Sequence, residues 1–134
     1  MGITQYEDLD AWKLATALKK RIIDLTREES VRNDFRFCDQ IRSSSASITA
    51  NIAEGVGRFT DPDLLRYLRY ARGSAFETRE WLRDGRDRGH FSNAAFEEAW
   101  TLLEGATRAL TALAAVVDRR VQRKKQCGAK PRLP

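Results

Sequence analysis

The chain has 134 residues, the length of a single domain, and a net charge of +5. One histidine and two cysteines are too few for a Cys/His zinc site within one chain, so a metal centre of that kind is excluded. The three prolines include two among the last four residues, and this distribution favours long helices over a loop-rich β fold.

Four amphipathic helical patterns follow one another along the chain. The first covers about residues 8–27, with Ala11, Leu18 and Ile22 on its apolar face. The second covers about residues 34–55, and its serine-rich middle has small side chains that let a neighbouring helix approach closely. Gly55 and Gly57 are predicted to end this helix, as glycines do where φ is positive.

The third and fourth patterns begin with clear capping signals. Thr60 or Asp61 caps the third helix, and Gly85 and Gly89 bracket the loop that follows it. Ser92 caps the fourth helix, which runs to about residue 125. Because the connections are short, neighbouring helices should be antiparallel. The sequence therefore predicts an all-α, up-down-up-down antiparallel four-helix bundle.

The positive charge is concentrated in the C-terminal segment. Residues 118–134 carry seven basic residues against one acid, a net of +6, whereas residues 1–117 carry a net of −1. A basic segment favours an acidic partner such as nucleic acid, although it can also serve only solubility. The predicted phosphate-binding residues are Arg119, Arg120, Arg123, Lys124 and Lys125. We divide the chain into a bundle domain, residues 1–125, and a disordered basic tail, residues 126–134.

Secretion and membrane insertion are not expected. The acidic residues Glu7, Asp8 and Asp10 lie where a signal peptide needs a basic and then an apolar run. The longest apolar run, residues 112–117, is far shorter than the about 20 residues that cross a bilayer. Cys38 and Cys127 lie outside any motif and fit a reduced compartment. We therefore expect a cytoplasmic protein with no membrane partner.

The catalytic templates fit poorly. His90 lies in a glycine loop without a nucleophile elbow near it, and we interpret it as a surface residue. A di-iron bundle needs Glu-x-x-His on two helices, whereas the nearest match, residues 87–90, occurs once and in a loop. We therefore predict no catalytic residue, no metal and no cofactor, and an enzyme is the least favoured class.

Arginine is the informative residue type, with 18 arginines against six lysines. Eight arginines lie on the third helix and its flanks, interleaved with acids, and we expect ion pairing there rather than phosphate binding. Arg72 and Arg79 fall beside the apolar stripe, where guanidinium groups need partners. Glu54 and Glu104 are the expected partners.

A polar cluster marks the turn between the second and third helices. Asn51, Glu54 and Arg58 share one helix face beside Gly55 and Gly57. We interpret this cluster as a structural clamp on the turn, and a binding site is the alternative.

Large apolar side chains occur on outward helix faces. Tyr70 and Trp81 lie opposite Leu68 on the third helix, and Trp12 lies off the core stripe of the first. Outward aromatic residues are typical of partner surfaces, although single ones are tolerated on monomers. We therefore expect a homo-oligomer with Trp12, Tyr70 and Trp81 at its interface.

Several short stretches of the chain match a known family at consistent spacing. They are residues 6–12, 40–42, 47–48, 51–55, 57–58 and 68–77. Through these stretches the chain resembles the four-helix-bundle proteins encoded in 23S rRNA intervening sequences. It differs from the usual pattern at Ser43 and Ser44, where that family usually has basic residues, and at Thr49, where it often has proline.

The resemblance implies a bacterial cytoplasmic bundle that assembles as a ring-like homopentamer, in a family without an established enzymatic activity. A related branch, the accessory variability determinant of diversity-generating retroelements, is a basic pentamer that binds nucleic acid and a reverse transcriptase. RNA or DNA, and a reverse transcriptase or another protein, are the partners that this resemblance implies. We thus expect a non-enzymatic homo-oligomer that binds nucleic acid, and a protein-binding scaffold is the alternative.

Overall fold

Four long α-helices account for most of residues 5–128, the part of the chain that the computed structural model describes. A short 3-10 helix, Tyr6–Asp8, comes first, and no strand occurs within residues 5–128. The all-α prediction is confirmed. The helices are α1 (Asp10–Arg27), α2 (Phe35–Gly57), α3 (Asp61–Asp87) and α4 (Asn93–Gly128).

Each helix packs against two neighbours, in the cyclic order α1, α2, α3, α4. Arg21, near the end of α1, forms an ion pair with Glu98, near the start of α4. Arg120, near the end of α4, forms one with Asp61, at the start of α3. Both ion pairs join the end of one helix to the start of its neighbour, so the up-down-up-down antiparallel bundle is confirmed.

The core lies on the bundle axis and contains the predicted apolar stripes. Leu18, Ile48, Leu68 and Leu110, one from each helix, have no exposed surface. Burying a side chain of this size stabilises the fold by about 1.5–3 kcal/mol. The helical period of the sequence was therefore enough to identify the buried faces.

The turn between α2 and α3 differs from the prediction. Gly55 lies inside α2, which continues to Gly57. A Cβ atom on Gly55 would lie 2.8 Å from the Cβ of Tyr67, so glycine is needed here for the close approach of α3. The left-handed conformation falls on Phe59, with φ of 65°, and neither glycine ends the helix by a positive φ.

Small polar side chains fill the contact between α2 and α3, as predicted. The hydroxyls of Ser44 and Thr78 lie 2.9 Å apart, and those of Ser47 and Ser74 are equally close. The side-chain amide of Asn51 donates to Ser47 Oγ at 3.0 Å. Asn51 therefore belongs to this hydroxyl seam.

The other observed helix boundaries agree only in part with those predicted from the sequence. Thr60 and Ser92 accept hydrogen bonds from the first turns of α3 and α4, so these two caps are confirmed. Gly85 is buried within α3 rather than placed in the loop, because the rings of Phe37 and Phe91 cover it. Gly89, with φ of 77°, does lie in the loop.

The helix α4 is longer than predicted. Its last buried side chain is Val121, yet the helix continues to Gly128. Residues 126–128, expected to be disordered, are helical. The rest of the predicted tail, residues 129–134, lies outside the described residues.

Candidate nucleic-acid interface

Four cations occupy the last turns of α4, on either side of its last buried residue, Val121. Arg119, Arg123, Lys124 and Lys125 are all exposed. No carboxylate of residues 5–128 lies within ion-pair distance of any of them. Cations are also favourable at a helix C-terminus. We call these four residues the α4 basic end, and their hydrogen-bond donors are available to an external anion.

Arg120 is not part of this surface. Its Nη2 lies 3.3 Å from Oδ1 of Asp61, whose side chain is only 3% exposed. A buried carboxylate needs a partner, and Arg120 supplies it. We therefore assign Arg120 a structural contact with this buried acid, and its predicted contact with phosphate stays a prediction.

The predicted polar clamp is present in a different form. Arg58 donates to Glu54 at 2.8 Å and to the Tyr67 hydroxyl at 2.9 Å. The hydrogen bond to Glu54 raises the pKa of Arg58. The contact with Tyr67 links the end of α2 to the first turns of α3, so the structural interpretation of Glu54 and Arg58 is favoured. Asn51 does not join them, since its amide is bound in the hydroxyl seam.

Alternating arginine and aromatic side chains line the seam between α3 and α4. Each arginine of this set lies over at least one aromatic ring. Aromatic faces attract cations through the ring quadrupole. We call this set the arginine–aromatic ladder, and its members are Arg72, Arg79, Arg83, Arg86, Phe76, Phe96 and Trp100.

The ladder arginines do not form the ion pairs that the sequence suggested. Within the described part of the chain, none of the four has a carboxylate within 4.0 Å. Arg72 instead donates to the Thr111 hydroxyl at 3.1 Å. The expected partners are engaged elsewhere, Glu54 with Arg58 and Glu104 with Arg108.

A groove of about 530 Å³ runs beside the ladder, between α3 and α4. Arg79 lines one side of it, and Thr111, Ala112 and Ala115 of α4 form much of the rest. Arg119 follows Ala115 by four residues, which places both on the same helix face. The groove therefore leads along α4 towards the α4 basic end.

His90 is a structural residue and not the surface residue that the sequence suggested. Its side chain is 13% exposed, and Nε2 lies 2.8 Å from Oδ2 of Asp34. Its ring also packs at 5.0 Å from that of Phe37. The hydrogen bond from His90 lowers the pKa of Asp34, which in turn caps α2 by accepting from the Phe37 amide. This network ties the start of α2 to the end of α3.

The three predicted interface aromatics differ in exposure. Tyr70 is 53% exposed on the outer face of α3. Trp12 and Trp81 are only partly exposed, since each packs edge-on against another ring of the chain, Tyr6 and Phe37 respectively. Tyr70 is therefore the member most available to a second copy.

The part of the chain that the structure describes contains neither a candidate metal site nor a helix that could span a membrane. Within residues 5–128, no group of three or more His, Cys, Asp and Glu side chains could hold a metal ion. Over the same residues, no helix combines the length and the apolar composition that a membrane crossing requires.

Comparison with known proteins agrees with this architecture. The family described as 23S rRNA-intervening sequence protein matches residues 7–112. The chain belongs to this family. A solved structure of a protein with unknown function, from the S23 ribosomal protein family of Bacteroides thetaiotaomicron, superposes with a TM-score of 0.70. It is 22% identical and covers 78% of this chain and 97% of its own, which shows the shared fold. Among curated proteins, none matches this member of the 23S rRNA-intervening sequence protein family.

Proposed function

We propose that this protein is a non-enzymatic homo-oligomer that binds nucleic acid through the α4 basic end. The observation that carries the proposal is the set of four exposed cations without a carboxylate partner among the described residues. Three basic side chains near this end of the bundle, Arg58, Arg66 and Arg120, are engaged in ion pairs. The four cations therefore provide a positive surface that the fold itself does not use.

The expected binding mode follows from the chemistry of these side chains. Lysine and arginine side chains that neutralise phosphates release condensed counterions, so affinity falls steeply as salt rises. Such contacts position a nucleic acid but do not read its bases. We therefore expect binding that depends on salt and is largely indifferent to sequence.

Self-association would multiply this surface. Tyr70 is exposed on α3, and Leu9, Ala109 and Leu113 line an apolar groove between the start of α1 and α4. An exposed aromatic side chain and a partly exposed apolar groove favour contacts between copies. A pentamer is the assembly that the family resemblance implies. In a closed ring every copy presents the same surface, so each subunit adds four cations.

The test compares two variants with matched changes in charge. One variant replaces the four cations of the α4 basic end by glutamine. We expect it to lose most of its affinity for an RNA or DNA oligonucleotide at about 50 mM salt, measured by fluorescence anisotropy. The control, which removes the same charge from α1, should keep its affinity, and its substitutions are Lys13→Gln, Lys19→Gln, Lys20→Gln and Arg27→Gln.

Two results would refute the proposal. One is the absence of binding by the unmodified protein at this salt concentration. The other is an equal decrease of affinity in both variants, because net charge rather than the α4 basic end would then govern binding.

A protein-binding scaffold is the second candidate. Phe35 is 77% exposed and Phe59 is 79% exposed, and aromatic side chains are enriched where proteins meet. The partner would be a reverse transcriptase or another protein. Absence of nucleic-acid binding, together with a purified partner whose affinity falls in Phe35→Ala and Phe59→Ala variants, would favour this function.

A further inference from the structure

We infer that the arginine–aromatic ladder is a second nucleic-acid surface, and that it takes a single strand in preference to a duplex. This inference rests on the proposed function, since a nucleic acid bound at the α4 basic end would continue along the groove between α3 and α4 and contact the ladder there. It concerns different residues, so the two surfaces can be tested separately.

The first argument is that stacking holds the guanidinium groups in place. The Arg79 guanidinium lies 4.7 Å from the Trp100 ring centre and 5.9 Å from that of Phe76. Arg83 also lies over Trp100, 5.4 Å from its ring centre. A stacked guanidinium group keeps its N–H edge free for a phosphate, and less side-chain freedom is lost when that phosphate binds.

The ladder is extended in both directions by the same kind of contact. The Arg72 guanidinium lies 4.8 Å from the Phe76 ring centre, and its Nε is fixed by Thr111. At the other end, Arg86 lies 4.4 Å from the Phe96 ring centre. Residues 72 to 86 span about 21 Å along a helix axis. The ladder is therefore long enough to contact several successive phosphates.

The second argument is that the positive charge of the ladder is not neutralised by the fold. Its four arginines have no carboxylate within ion-pair distance anywhere in residues 5–128. The carboxylate that lines the groove is Glu104, and it is paired with Arg108. An external polyanion is the partner that such a row of guanidinium groups fits.

The third argument concerns the choice between a single strand and a duplex. Ala112 and Ala115 give the groove a largely apolar surface, and Phe76 beside it is 45% exposed. Unpaired bases can cover apolar surface and stack on guanidinium groups or rings, whereas a duplex keeps its bases stacked inside and offers phosphates. The combination of a basic edge and an apolar groove therefore fits a single strand.

The test uses a pair of variants in which the same number of charges is removed. The ladder variant carries Arg79→Gln and Arg83→Gln, and the control carries Arg32→Gln and Arg36→Gln, two exposed arginines of the α1–α2 connection and the start of α2. The probes are an oligothymidylate of about 20 nucleotides and a duplex of the same length. We expect the ladder variant to bind the single strand about 10-fold more weakly, with a much smaller change for the duplex and for the control.

Tryptophan fluorescence gives a local readout of the same event. We expect the oligothymidylate to quench the emission of the unmodified protein, because bases come close to Trp100. The Trp100→Phe variant retains Trp12 and Trp81, and it should show clearly less quenching at saturating oligonucleotide.

Several outcomes would overturn the inference while leaving the proposed function intact. One is equal affinity of the unmodified protein for the single strand and the duplex. Another is unchanged single-strand affinity of the ladder variant while the affinity of the variant of the α4 basic end falls. A decrease in the mass of the ladder variant by light scattering would assign the groove to a subunit interface instead. Absence of binding to either probe would refute the proposed function itself.

Discussion

The guanidinium group of Arg120 reaches the carboxylate of Asp61 at 3.3 Å and joins the end of α4 to the first residue of α3. Asp61 is buried, whereas Arg119 next to Arg120 is exposed. Two consecutive arginines of the basic segment thus have opposite roles, one structural and the other available to a ligand.

The Arg120→Gln variant should be destabilised by about 3 kcal/mol, because it leaves the buried carboxylate of Asp61 without its cation. Urea denaturation followed by circular dichroism measures the change. The neighbouring Arg119→Gln variant is the control and should stay within about 0.5 kcal/mol of the unmodified protein. Equal stability of the two variants would show that the ion pair does not contribute to the fold.

Gly55→Ala should lower the free energy of unfolding by about 1–3 kcal/mol, because the added Cβ would lie 2.8 Å from that of Tyr67 and overpack the helix contact. The control is Gly73→Ala, also inside a helix, where no atom lies within 4 Å of the added Cβ. It should stabilise the protein by up to about 1 kcal/mol through helix propensity. The same sign for both changes in thermal or urea unfolding would contradict this account of α2–α3 packing.

The fold could be predicted from the sequence because it depends on local signals. Apolar residues at helical spacing identify the buried faces, and Thr60 and Ser92 mark two helix starts. The role of Gly55 could not be predicted in the same way. From the sequence alone, a glycine near the end of a helical pattern is read as the residue that ends the helix. Its contact with Tyr67 depends on how closely α3 approaches.

Stability should depend on pH through Asp34. The hydrogen bond from His90 lowers the pKa of Asp34, helped by the Phe37 amide and by Arg88 and opposed by partial burial. A carboxylate whose pKa is lowered in the folded state stabilises the protein fully at pH values above its ordinary pKa of about 3.9. This contribution is lost as the pH falls through the lowered pKa of the folded state. The Asp34→Asn variant, which can still cap α2, should lack this contribution.

Urea denaturation of both proteins between about pH 7 and pH 3 tests this expectation. The difference in unfolding free energy should favour the unmodified protein at neutral pH and shrink as the solution becomes acidic. A difference that stays constant, or grows towards low pH, would show that the interaction with His90 does not stabilise the ionised form of Asp34.

Tyr70→Glu should reduce the mass of the assembly measured by light scattering while leaving the helical circular dichroism spectrum unchanged. A charge at Tyr70 would disfavour burial of this face against a second copy. Tyr70 is 53% exposed and packs edge-on only against Tyr67, at the surface, whereas Trp81 packs on the buried Phe37, so a charge at Trp81 would also disturb the core. Asn93→Glu, at an exposed polar residue in the first turn of α4, is the control and should keep the full mass. A monomeric mass for the unmodified protein would refute self-association altogether.

The candidate site could be predicted only in part. Counting charges along the sequence found the basic segment, and four of its five predicted residues are exposed. Arg120 could not be distinguished, because its buried partner lies 59 residues away in sequence. The ladder was also missed, although Phe76 lies within about one helical turn of both Arg72 and Arg79. Its other aromatic residues come from α4, and only the pairing of α3 with α4 brings them together.

The salt dependence of nucleic-acid binding tests the central claim most directly. The affinity of the full chain for a single-stranded oligonucleotide should fall linearly on a log–log scale between about 50 and 200 mM salt. Replacing the four cations of the α4 basic end by glutamine should make that slope shallower by about 0.7 for each phosphate that is no longer neutralised. The same slope in both proteins, or no binding at the lowest salt concentration, would contradict the account.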